Sequence, residues 1–132
     1  MAATPFPSEL FHGGYPCANE VAKTANYTIT KLENGTLFTN TGAEAAVVFT
    51  LPALSPFLYF RFMVTADQSV TVSSAAGDDM VVFNDATADS VAFSTSSEKI
   101  GGSLLIFSNS AGTKWYVNQV SAGSAHTLTV AT

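Results

Sequence analysis

The sequence predicts an all-β chain, an antiparallel β-sandwich or jelly-roll-like single domain behind an extended N-terminal arm. Two observations carry this. Apolar residues recur at a period of two: Phe60, Phe62 and Val64 fall on one side of a run whose other side holds Tyr59, Arg61 and Met63. Val70 and Val72, Val91 and Phe93, Trp115 and Val117, and Leu128 and Val130 repeat the rhythm. Side chains alternate faces along a strand, so each run describes a strand with one buried face. Second, the runs are punctuated by Asn, Asp, Gly and Pro at the spacing of about 8–12 residues expected of sandwiches and barrels. No segment keeps apolar helical spacing long enough to form a helix, and no internal repeat suggests a propeller or solenoid.

The elements follow in order. Residues 1–24 carry Pro5, Pro7, Pro16 and the pair Gly13-Gly14. Proline removes ladder donors and fixes φ, so this stretch is predicted to stay out of regular sheet and helix. It reads as an arm. Its spaced apolar residues, Phe6, Leu10, Phe11 and Tyr15, suit docking on a partner or a neighbouring subunit as well as a strap over its own domain. Residues 25–132 form the domain. Tyr27–Thr30 leads to Asn34-Gly35, a hairpin signal because both residues tolerate positive φ. Thr36–Thr39, Ala45–Leu51, Phe57–Thr65, Ser69–Ser73 and Met80–Phe83 are the next strands, and Asn84 to Asp89 is a polar loop. Val91–Ser94 and Ser103–Ser108 follow. Asn109-Ser110-Ala111-Gly112 turns the chain into Thr113–Val120, and Thr127–Val130 is the last strand.

Composition narrows the function classes. The 132 residues are 47% hydrophobic, enough for one core, while charged residues make up only 11%, against about 25% in ordinary domains. A disordered chain needs the opposite balance. Uncharged strand edges invite pairing, so an oligomer is expected. The net charge is −5, and Lys23, Lys31, Arg61, Lys99 and Lys114 are scattered rather than clustered. Nucleic acid is therefore not an expected partner. The apolar run Phe57 to Val64 is interrupted by Arg61 and too short to span a bilayer, and no basic amphipathic helix suits a membrane surface. The first residues lack the charged and apolar regions of a secretory signal, so cytoplasmic synthesis without export is expected. Cys17 is the single cysteine and reads as a small apolar residue.

Chemistry-bearing residues are sparse. His12 and His126 are isolated, which does not supply the three or four ligands of a zinc site. Gly77-Asp78-Asp79, Asn84-Asp85 and Asp89 offer oxygen ligands for calcium, but their spacing is that of ordinary turns. No serine sits in a nucleophile elbow, and no carboxylate pair stands out for glycoside hydrolysis. No enzyme activity, cofactor or metal is expected. Asn26-Tyr27-Thr28 and Asn34-Gly35-Thr36 match the N-glycosylation triplet but have no signal peptide to give them meaning. Trp115 reads as the core tryptophan of a late strand, while Tyr59 and Tyr116, with or without Trp115, are the candidates for a sugar platform.

The order Ala25-Asn26-Tyr27-Thr28-Ile29, Leu37-Phe38-Thr39-Asn40-Thr41-Gly42-Ala43 and Val48-Phe49-Thr50-Leu51-Pro52 resembles β-rich modules of tailed-bacteriophage virion proteins. So do Leu58-Tyr59-Phe60-Arg61-Phe62, the turn at Gly77-Asp78, Gly101-Gly102-Ser103 and Gly112-Thr113-Lys114-Trp115-Tyr116-Val117. The resemblance runs from about Ala25 to Val120. It implies a structural, non-enzymatic protein of the virion surface, often a trimer, in a head decoration or a tail or fibre role. These residues contain no long coiled coil or collagen-like shaft, which favours a capsid decoration (cement) protein on the outer head surface. Its partners would be the major capsid protein and copies of itself, with Pro5, Phe6, Pro7, Phe11 and Tyr15 as the expected anchor. The alternative is a receptor- or glycan-binding module of a tail tip or fibre.

Overall fold

A computed structural model describes residues 19–121 and 123–132. The fold is an all-β sandwich. One sheet has seven strands in the order β1-β3-β5-β10-β11-β7-β8 and the other five in the order β12-β9-β6-β4-β2. The first six strands are β1 (Asn19–Ala22), β2 (Tyr27–Thr28), β3 (Thr36–Thr39), β4 (Val47–Thr50), β5 (Tyr59–Met63) and β6 (Val70–Ser73). They alternate between the two sheets, so each lands beside the strand two before it. Parallel pairing follows for β1 with β3, β3 with β5, β2 with β4 and β4 with β6. Parallel neighbours need a long crossover. Here a strand of the opposite sheet supplies it, where α/β folds use a helix.

The sheets are therefore mixed rather than antiparallel, and Asn34-Gly35 is not a hairpin. Asn34 has φ −51° and ψ 134°, and Gly35 has φ +84°. That is a type II turn, which needs glycine only at its second central position and does not fold a strand back on its neighbour. It follows a short 3₁₀ turn, Lys31–Glu33, that carries the chain from one sheet to the other.

The second half is mostly antiparallel: β7 (Met80–Val82), β8 (Asp85–Ala88), β9 (Ser90–Phe93), β10 (Ser103–Ser108), β11 (Trp115–Gln119) and β12 (Thr129–Ala131). The hairpin at Asn109–Gly112 joins β10 to β11 as the sequence predicts. Two strands were not expected. The stretch predicted as polar loop contains β8, joined to β7 by a tight turn with positive φ at both Phe83 (47°) and Asn84 (67°). Asp-Ala-Thr-Ala has weak strand propensity, so pairing across that turn decides its conformation. Asn19–Ala22, at the end of the predicted arm, is the edge strand β1. The arm's candidate residues Pro5, Phe6, Pro7, Phe11 and Tyr15 lie outside the described residues.

The period-two reading holds inside the domain. Phe60, Phe62 and Val64, Val70 and Val72, Val91 and Phe93, and Trp115 and Leu128 are buried between the sheets. Phe38 and Phe62 of one sheet meet Phe49 of the other at centroid separations of 5.4 Å each, and Trp115 lies 6.2 Å from Phe60. Such aromatic contacts add about 0.5–1.5 kcal/mol each beyond area burial. Asn40 is fully buried where β3 and β5 end. Its Oδ1 accepts from the Thr65 and Ala66 amides at 2.8 and 3.0 Å, and its Nδ2 donates to the Ala66 carbonyl at 3.1 Å. One side chain thus continues the hydrogen bonding that the departing strand abandons.

Candidate interaction face

The outward positions of the seven-stranded sheet follow from the same alternation that builds the core. Register places Phe107 opposite Tyr59 on one side and Tyr116 on the other. These three rings make a row across β5, β10 and β11, with 37%, 37% and 40% of the residue exposed for Tyr59, Phe107 and Tyr116. Phe107 and Tyr116 meet edge to face at 5.7 Å and 88°. In the next row Leu37, Arg61, Leu105 and Asn118 lie abreast. Tyr59, Arg61, Leu105 and Phe107 line a groove of about 340 Å³.

The start of β5 is held firmly. Asn34 Oδ1 accepts from the Tyr59 amide at 2.7 Å while its Nδ2 donates to the Phe57 carbonyl at 3.2 Å. The Gly35 amide donates to the Tyr59 carbonyl at 2.8 Å. A Cβ on Gly35 would meet the Tyr59 hydroxyl at 3.5 Å, so the phenol lies over the residue that leads into β3. On the other side the Leu58 amide donates to Ser108 Oγ at 2.9 Å and the Ser108 amide to the Leu58 carbonyl at 2.9 Å. Phe57 itself is 78% exposed with φ +63°, and Leu32, in the turn beside Asn34, is 98% exposed. Left-handed backbone at a bulky residue costs about 1–3 kcal/mol and is kept only where surrounding contacts impose it.

The face can bury apolar or planar groups and place one guanidinium beside them. Trp115 belongs to the core, fully buried, whereas Tyr59 and Tyr116 do share the face, with Phe107 between them and Arg61, Leu105 and Asn118 in the adjacent row. Phe107 and Leu105 were not singled out from the sequence, which placed Arg61 on the outer side of its strand without giving it a role. The run Ser-Leu-Leu-Ile-Phe-Ser is apolar on both faces, and that is the signal which marks a strand covered on both sides.

The remaining candidates serve the fold. Asp89 Oδ1 accepts from the Asp78 amide at 2.7 Å, Asp85 Oδ1 from the Thr87 amide at 2.8 Å, and Lys114 Nζ donates to the Asp78 and Ala86 carbonyls. These acidic turns are organised by their own hydrogen bonds, and no three His, Cys, Asp or Glu side chains gather as a ligand set among the described residues. His126 Nε2 sits 2.8 Å from the Ile100 carbonyl and must carry the proton there, which leaves buried Nδ1 without a partner. His12 and Cys17 lie outside the described residues. Burial pushes the Glu33 carboxyl up, but hydrogen bonds from the Tyr27 hydroxyl (2.7 Å) and the Thr30 amide (2.9 Å) outweigh it and hold the group below its ordinary range. The same bond, followed by burial, raises Tyr27. Lys23 Nζ stands 3.8 Å from the Tyr27 ring centroid. No helix among the described residues is long and apolar enough to cross a membrane.

Compared with protein-family models and with curated protein sequences, the chain matches none of them.

Proposed function

We propose that this chain is a structural protein of a tailed-phage virion, a capsid decoration protein that adheres to the outer head surface as a homotrimer and stabilises it. The observation that carries the reading is the Tyr59–Phe107–Tyr116 row, an exposed aromatic face on a rigid sandwich with few charges. Exposed apolar patches on otherwise polar domains mark contact surfaces. Several modest contacts repeated by symmetry gain affinity through effective concentration, so each copy needs no deep site. The residues available fit adhesion better than turnover. Residues 1–24, with Pro5, Phe6, Pro7, Phe11 and Tyr15, are the second element of the anchor, and the major capsid protein is the partner. Co-sedimentation of purified protein with heads that lack it tests the reading: saturable binding, lost on deletion of residues 1–18, is expected. Absence of binding to heads refutes it.

The shared placement of Tyr59 and Tyr116 favours one rival, a tail or fibre module that stacks sugars on these rings. Binding to host-cell glycans by the isolated protein, without binding to heads, would select it.

A further inference from the structure

We propose that the groove between β5 and β10 is the seat of residues 1–18 of the same chain, which cross the outer face of the seven-stranded sheet and bring Tyr15 and the apolar residues before it onto Tyr59, Leu105 and Phe107. The inference concerns the free protein and does not depend on the virion reading; if that reading holds, the segment leaves the groove on heads, so that it and the aromatic row both meet the shell.

Where the chain enters the sheet is the first support. Asn19 pairs with Thr36, and the Gly35 amide bonds the Tyr59 carbonyl. The chain therefore joins β1 one residue from the level of the Tyr59–Phe107–Tyr116 row. Strands lie about 4.8 Å apart, so the groove is about 12 Å from β1 across β3, a distance that about four extended residues span. Counting back from Asn19 puts Tyr15 at the groove, with Phe11, Leu10 and Phe6 to follow. Shape is the second support. Extended proline-bearing segments dock in grooves walled by aromatic rings. Residues 1–18 contain Pro5, Pro7 and Pro16 among their aromatics, and the groove is walled by Tyr59 and Phe107. The Tyr59 hydroxyl lies over Gly35, on the β3 side of the groove, which is the side that β1 flanks.

Charge is the third. Arg61 is the one cation of the groove, and Glu9 is the one carboxylate of residues 1–18, which contain no lysine or arginine. Among the described residues the ion pair formed is Lys99 with Asp67, which leaves Arg61 available to Glu9. Because the segment is tethered, its local concentration is of millimolar order and modest contacts suffice to hold it.

The test uses the full chain with Cys17→Ser and Ser8→Cys, a nitroxide on residue 8, and amide spectra of isotopically enriched protein. The expected result is strong broadening of Arg61, Leu105 and Phe107 amides. It should vanish when the nitroxide is carried only by unenriched molecules in a one-to-one mixture. Leu105→Glu, an outward substitution that leaves the core intact, should abolish the broadening while Trp115 fluorescence stays native. Arg61→Glu should weaken it severalfold and Glu9→Arg in the same chain should restore it. Unbroadened groove amides, broadening that appears in the mixture (the segment of a second copy), or broadening that survives Leu105→Glu would each overturn the proposal.

Discussion

Replacing Asn40 with alanine should be among the most damaging single changes in this domain. The side chain is fully buried and satisfies two amides and one carbonyl at 2.8–3.1 Å. Its removal leaves these groups facing a hole of a few heavy atoms, and an unmet buried polar group costs about 1–3 kcal/mol. Thr65 is exposed and Ala66 partly so, which lets water reach some of the freed groups. The lower end of the range then applies to each, for a total of about 2–4 kcal/mol. For a chain of this size that corresponds to a fall in Tm of about 6–16 °C. Thr41→Ala is the control: it removes hydroxyl contacts of 3.0 and 2.7 Å at the same corner, the second exposed, and should cost about 1 kcal/mol or less. Urea unfolding followed by Trp115 fluorescence reads both. Equal, small losses for the two variants would refute the assignment of Asn40 as the pin between β3 and β5.

Phe107→Ser should leave the domain folded but weaken adhesion. With 37% of a ring of about 200 Å² exposed, docking buries roughly 75 Å², about 2 kcal/mol or thirtyfold in affinity for heads; unchanged occupancy would contradict the face. Phe83→Asn should stabilise by about 1 kcal/mol, because φ of +47° strains phenylalanine while asparagine suits the first position of such a turn. A loss of stability in urea melts would count against it. Glu33 has a folded-state pKa below its ordinary value, so its contribution is complete above the ordinary carboxylate pKa and is lost as pH falls through the folded one. The gap between wild type and Glu33→Gln, about 0.5 kcal/mol for this partly exposed group, should therefore close on acidification; a gap that widens would reverse the sign.

The inward half of each strand was readable because burial imposes a period that side-chain identity records directly: Phe60, Phe62, Val70, Val72 and Trp115 all sit where alternation places them. Sheet membership was not. Whether Asn34-Gly35 turns a strand back on its neighbour or hands it to the opposite sheet depends on ψ at Asn34, which the dipeptide leaves open. The strands β1 and β8 escaped because Asn-Glu-Val-Ala and Asp-Ala-Thr-Ala have little intrinsic preference for extended structure and gain it from pairing. The face was half legible. Tyr59, Arg61 and Met63 declare themselves by opposing the core residues of β5. Phe107 and Leu105 were masked in a run apolar on both sides, and only register with Tyr59, Arg61 and Tyr116 gathers them into one surface.

Imaging of heads saturated with the protein, at a resolution that separates the two sheets, tests the central claim most directly. The account predicts that the seven-stranded sheet, with the Tyr59–Phe107–Tyr116 row and the Asn19 end, is turned to the shell or to neighbouring copies. Density with the five-stranded sheet against the shell and that row open to solvent, or protein found on tails alone, would contradict it.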